Sequence, residues 1–114
     1  MDDHNQAVLL FDFYGDLLTD RQRTAYGMYY NDNLSLSEIA EELSVTRQGA
    51  RDAVQRAADS LRVYEAKLGL VSKHNERARL IESIIGDAQK LTDSNNLNEY
   101  TYMLIQKIQL LSEV

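Results

Sequence analysis

Cysteine and proline are both missing from this chain of 114 residues. Without cysteine, neither a disulfide framework nor a thiolate metal site can form, and the absence fits a reducing compartment. Without proline, and with only five glycines scattered at positions 15, 27, 49, 69 and 86, nothing breaks helices strongly. No Gly/Ser/Pro-rich linker divides the chain. Long apolar runs are missing too, for no stretch approaches the roughly 18 residues that a membrane span needs. The opening MDDHNQ is acidic where a secretory signal would be basic, so no signal peptide is expected. A cytoplasmic protein without membrane insertion is the expectation.

Catalytic constellations are equally scarce. His4 and His74 share no HxxxH or HExxH spacing, so no metal site is expected. The adjacent carboxylates Asp2-Asp3 and Glu41-Glu42 do not converge as an acid/base pair would. No GxGxxG, phosphate loop or GxSxG occurs. The expectation is a non-enzyme with no cofactor.

What is present is helical pattern and an uneven charge. The formal charge is −6, yet residues 1–45 sum to −7, residues 46–80 to +4 and residues 81–114 to −3. A polyanion would be drawn to the middle and repelled by the flanks.

Every segment reads as helix, which makes the chain all-α with six helices at most. The first spans about residues 5–17, with Val8, Phe11, Leu17 and Leu18 toward a core. Thr19 and Gln22 form a capping box for a second helix ending near Tyr30, where Asn31-Asp32-Asn33 supplies a turn. Ser35 and Glu38 cap a third, whose core face is Leu36, Ile39, Ala40 and Leu43. Thr46 caps a fourth, long helix. Along it Val54, Ala57, Leu61, Tyr64, Leu68 and Val71 follow a heptad a/d spacing. That stripe suits either a dimer or partner face, or an amphipathic helix lying on its own domain. A break falls between Gly69 and Ser72. Two further helices are expected at about 73–91 and 97–112, the second capped by Asn96 with Glu99. The expected division is a domain over 1–68 and a C-terminal arm over 69–114, packed either on the same core or on a second chain. Tyr14, Tyr26, Tyr29 and Tyr30 sit at helical core spacing, so packing accounts for them better than base stacking.

The third and fourth helices, joined by a turn at Ser44-Val45, describe a helix-turn-helix. In this motif the second helix meets nucleic acid with its first turns. Thr46, Arg47, Gln48, Arg51 and Gln55, with Arg56 near the edge, are therefore the candidate contacts. Arginine pairs with guanine or phosphate and glutamine with adenine. A solvated basic face is the plain alternative.

LTDRQRTAYGMYYNDNLSLSEIAEELSVTRQGARDAVQRAADSLR looks like region 4 of bacterial sigma factors. It does so through Leu18, the Arg23 region, Tyr29-Tyr30, Ser37-Glu38-Ile39-Ala40 and Val45-Thr46-Arg47. With LFDFYGDLLTDRQR before it and YEAKLGL after it, the chain resembles the YlxM family over about residues 9–80. These are small bacterial helix-turn-helix proteins usually encoded beside the signal recognition particle protein. The resemblance implies a regulatory or accessory role in that targeting pathway. With it the expected partners are the particle's RNA or protein, beside DNA from the helix-turn-helix itself and a second copy of the chain from the heptad stripe. The other reading is a protein–protein adaptor of that pathway. In it Leu61, Tyr64, Leu68, Val71 and the C-terminal helices form a dimer or dock a partner, and the helix-turn-helix is kept as scaffold or grips the pathway's RNA. Two features depart from the sigma-like pattern. Gly49-Ala50 stands where bulkier residues are usual, and Asp52 lies on the candidate face, where it would oppose phosphate.

Overall fold

The computed structural model describes residues 3–93 and 97–113, and all regular structure among them is helical. The elements are α1 (Asp3–Tyr14), a 3-10 turn (Gly15–Leu17), α2 (Asp20–Tyr30), α3 (Leu36–Leu43), α4 (Arg47–Leu68), α5 (Leu70–Asp93) and α6 (Leu97–Glu113). The expected Asn96–Glu99 cap lies outside the described residues. Two compact units result, residues 1–71 and residues 72–114.

The helix starts in the first unit are set by short polar side chains. Thr19 Oγ1 accepts from the Gln22 amide at 3.2 Å, and Ser35 Oγ accepts from the Glu38 amide at 3.1 Å. In each box the third residue's side chain returns to the cap's own N–H. These bonds, backbone first, hold the Glu38 carboxyl below the usual carboxylate range.

The first unit is built around α4, which packs on α1, α2 and α3. Its buried stripe is Ala50, Ala53, Val54, Ala57 and Leu61, at the three- and four-residue steps that keep one helical face inward. Four of these five are alanine or valine, so the neighbouring helices approach closely. Ile39 and Ala40 of α3 and Ala25 of α2 complete the contact, with Val71 just past α4 in the same core cluster.

Two buried tyrosines tie α1 to this core. Tyr26 stacks on Phe11 at 5.3 Å between centroids, and its hydroxyl donates to the Ala7 carbonyl at 2.9 Å. Tyr14 OH donates to Glu65 Oε1 at 2.6 Å and accepts from the Leu70 amide at 3.0 Å. The same Glu65 oxygen accepts from the Val71 amide at 3.0 Å. Two of the unpaired N–H groups that open α5 are thus satisfied by side chains from α1 and α4. Tyr29, in contrast, is 37% exposed and meets Tyr30 edge-on. It is not a core residue, because the ring following it in the chain takes the inner position against Tyr26.

Burial and the Glu65 hydrogen bond push the Tyr14 hydroxyl above the ordinary tyrosine value of 10.0. Burial, with Tyr30 close by, pushes Tyr26 further up. Both groups favour the protonated folded state, so their contribution is intact below pH 10 and declines as pH rises past the unfolded value. In an alkaline phenolate titration these two of the seven tyrosines will lag, ionising only as helical circular dichroism is lost. Seven tyrosines titrating together with the helices intact would contradict this packing.

Two places depart from the helical pattern. The chain leaves α1 at Tyr14 for a 3-10 turn, and the tighter winding turns Leu17 outward to 56% exposure while Leu18 is buried. Leu17 is therefore not a core residue as its spacing suggested. Gly69 ends α4 in the left-handed region at φ +63 with nothing near a would-be Cβ. Gly69→Ala will cost about 1 kcal/mol through backbone strain alone, read as a shift in denaturant midpoint. Gly69→Asn will cost less, because asparagine tolerates this conformation.

The second unit is a helical hairpin. Asp87 on α5 pairs with Lys107 on α6 at 2.8 Å, and Lys90 lies over the Tyr100 ring at 5.9 Å. Position numbers rise on one helix as they fall on the other, so the two run antiparallel. At 2.8 Å the ion pair is the interaction that compensates the buried Asp87 carboxylate.

Candidate nucleic-acid interface

The turn between α3 and α4 is made by three residues. Ser44 adopts the left-handed conformation at φ +54 and closes α3 by donating its N–H to Ala40 and Glu41 carbonyls. Val45 tucks its side chain partly inward. Thr46 then opens α4, its Oγ1 accepting from the Gly49 amide at 2.9 Å. Gly49 is thus the third residue of the helix, not an interior one. A Cβ there would lie 3.2 Å from Thr46 Oγ1, so the small residue lets the cap close tightly.

Ile39 and Ala40 on α3 and Ala50, Ala53 and Val54 on α4 are buried together and fix the pair of helices. The opposite side of α4 is consequently turned outward. Thr46, Arg47, Gln48, Arg51, Gln55 and Arg56 are all exposed. They form one polar face over three turns, as their spacing suggested.

The charged groups on that face differ in their engagements. Gln48 Nε2 donates to Asp52 Oδ1 at 3.0 Å, and Gln55 Nε2 donates to Asp59 Oδ1 at 3.1 Å. Asp59 also holds Arg62. Asp52 and Asp59, two of the three acids of the helix, therefore restrain its two glutamines through four-residue steps. Arg47, Arg51 and Arg56 make no ion pair among the described residues.

Arg21, which the sequence reasoning did not single out, joins them. It stands in the first turn of α2, and with Thr19, Gln22, Gly49, Asp52, Ala53 and Arg56 it lines an open cleft of about 460 Å³. The strongly acidic balance of residues 1–45 concealed it. In the structure Arg23 engages the local acids, meeting Asp20 at 2.8 Å and Asp16 at 4.0 Å. Arg21 makes no ion pair among the described residues and stands beside Arg56.

The heptad stripe has a separate fate. Val54, Ala57, Leu61 and Val71 are buried in the core of the first unit. Tyr64 is half-buried, its ring 6.1 Å from Tyr14 and its hydroxyl donating to the Leu17 carbonyl at 3.3 Å. Of the six, only Leu68 is exposed, at 51%. Among the described residues no group of three or more acidic or histidine side chains could hold a metal ion, and no helix is long and apolar enough to cross a membrane.

A short helix, a three-residue turn and a second helix with one buried and one polar face define a helix-turn-helix protein. Comparison with known proteins narrows the class. Residues 1–103 match the UPF0122 family, described as "Putative helix-turn-helix protein, YlxM / p13 like", and the chain belongs to that family. The match runs past the residue 9–80 window of the sequence motifs and into α6. A UPF0122 protein of Caldanaerobacter subterraneus subsp. tengcongensis is 55% identical over 83 residues, covering 73% of this chain and 71% of the relative. One from Thermoanaerobacter sp. (strain X514) is 48% identical with the same coverage. One from Listeria innocua is 45% identical over 95 residues, covering 83% and 84%.

Proposed function

We propose that this is a nucleic-acid-binding accessory or regulatory protein acting in the cytoplasm, with the outer face of α4 as its contact surface. The observation that carries the reading is a set of arginines on one side of a helix-turn-helix that make no ion pair among the described residues. They are Arg47, Arg51 and Arg56 on α4 and Arg21 beside them, in a chain whose net charge is −6. An acidic protein in which four guanidiniums on one side have no ion pair among the described residues has a local surface suited to phosphate. Thr46 and Gln48 add neutral hydrogen-bonding groups at the helix start, where base edges are met in this motif. Asp52 sits on the rim of the cleft and opposes phosphate there. The surface is therefore selective about where a backbone can pass. The family resemblance to YlxM proteins suggests that the polymer belongs to the signal recognition particle pathway, as its RNA or as DNA.

Fluorescence anisotropy at several salt concentrations, with random duplex DNA and signal recognition particle RNA in parallel, tests the reading. Binding that weakens steeply with salt and prefers one polymer is the expected result. No binding to either near physiological salt would leave the helix-turn-helix as a scaffold, and the adaptor reading would take its place.

A further inference from the structure

The second unit has no core of its own. Among the residues of this unit whose side chains the structure describes, the one buried residue is Asp87, a charged one. Every large apolar side chain described on α5 beyond Val71, and on α6, is half-buried or exposed. A two-helix unit of this size cannot bury enough apolar surface to be stable uncovered.

Helical phase shows where the cover belongs. With α6 against Leu80, Ile84, Asp87 and Leu91 of α5, the residues Ile81, Ile85 and Ala88 form a stripe about 100° round the helix. On α6 the inner positions are Tyr100, Leu104, Lys107 and Leu111, and Ile105 and Ile108 lie beside them. Because the helices are antiparallel and both stripes are displaced in the same rotational sense, they emerge on the same side of the hairpin. Ile81, Ile85, Ile105 and Ile108 are 42%, 51%, 50% and 50% exposed. With the half-buried residues between them they present on the order of 500 Å² of apolar surface, as large as the biggest patch on a typical monomer.

We infer that this face pairs with the same face of a second copy, joining two chains through their C-terminal hairpins. Two observations favour a second copy over another occupant. The self-paired area reaches about 1,000 Å², where specific interfaces begin, and a patch on one side of a hairpin can meet its twin across a two-fold axis. Charge points the same way. Residues 72–114 carry a net charge of −1 while residues 1–71 carry −5. The hairpin is the part of this acidic chain that two copies can bring together with least repulsion. Dimerisation by α5 and α6 gives each particle two helix-turn-helix units. The inference does not depend on the nucleic-acid reading.

Sedimentation equilibrium of the full chain tests it. The expected mass is twice 13.0 kDa, falling to 13.0 kDa for the Ile85→Asp, Ile108→Asp variant, with Tyr64→Ser, Leu68→Ser still dimeric. A monomeric wild type, or a double-aspartate variant that keeps the doubled mass, would overturn the inference. Circular dichroism checks that the variant folds. If it does not, the absence of native cysteine allows a second test. Ala88→Cys should be joined chain to chain by a short bis-maleimide and Glu42→Cys should not. Equal yields from the two would also overturn it.

Discussion

Leu61→Ala will be the most damaging single truncation in the long helix, lowering unfolding free energy by about 3 kcal/mol. Leu61 is fully enclosed, in the fourth helical turn of α4 and in the core that also holds Tyr14 and Val71. Removing three carbons leaves a void that the alanines around it cannot close. Alanine has no side-chain freedom with which to fill space. For a unit of this size the loss corresponds to a fall in Tm on the order of 15 °C. Leu68→Ala, one heptad further along, will change stability by less than about 0.5 kcal/mol because its side chain is already half in water. Chemical denaturation followed by circular dichroism measures both. Comparable effects at the two positions would mean that the stripe is covered evenly by something outside the chain, contrary to the burial observed.

Replacing Arg47 and Arg51 together with alanine will produce the second large effect, on binding. Each arginine is exposed, makes no ion pair among the described residues and stands on the first two turns of α4, so neither holds the fold together. If each makes one phosphate or base contact worth about 1 kcal/mol, the pair contributes about 2 kcal/mol and Kd rises ~30-fold. The dependence of log K on log salt will flatten by about 2 units, one for each phosphate contact removed. Melting temperature should be unchanged, which separates lost contact from lost fold. A double variant with wild-type affinity and slope would remove these residues from the interface. Arg21→Ala tests the cleft in the same assay and should flatten the slope by about 1 unit while Thr19 still caps α2.

The local features of this protein were legible in its sequence because they rest on neighbours a few residues apart. Thr19 with Gln22, Ser35 with Glu38, and Thr46 at the start of α4 are short-range hydrogen bonds, and each was found at its expected place. The outward face of Arg47, Gln48, Arg51 and Gln55 followed from helical periodicity once the buried alanines fixed the inward side. The break at Gly69 followed from glycine's tolerance of the left-handed region. Family membership rests on the same ordered string of motifs.

Tertiary structure decided what depends on groups far apart in the chain. A heptad stripe looks alike whether it meets a second chain or its own domain. The packing of α1, α2 and α3 on α4 determined that Val54, Ala57 and Leu61 are enclosed at home. The Tyr14–Glu65 hydrogen bond spans 51 positions, and no periodicity announces it. Arg21 joined Arg56 only because α2 and α4 cross there, although the charge balance of its segment pointed away from phosphate. Sequence by itself determined the helices, their caps and which face of each is polar, since these are written in spacings of three and four residues. Which faces meet was settled by competition among several apolar stripes for the same partners, and that depends on shape and distance in three dimensions.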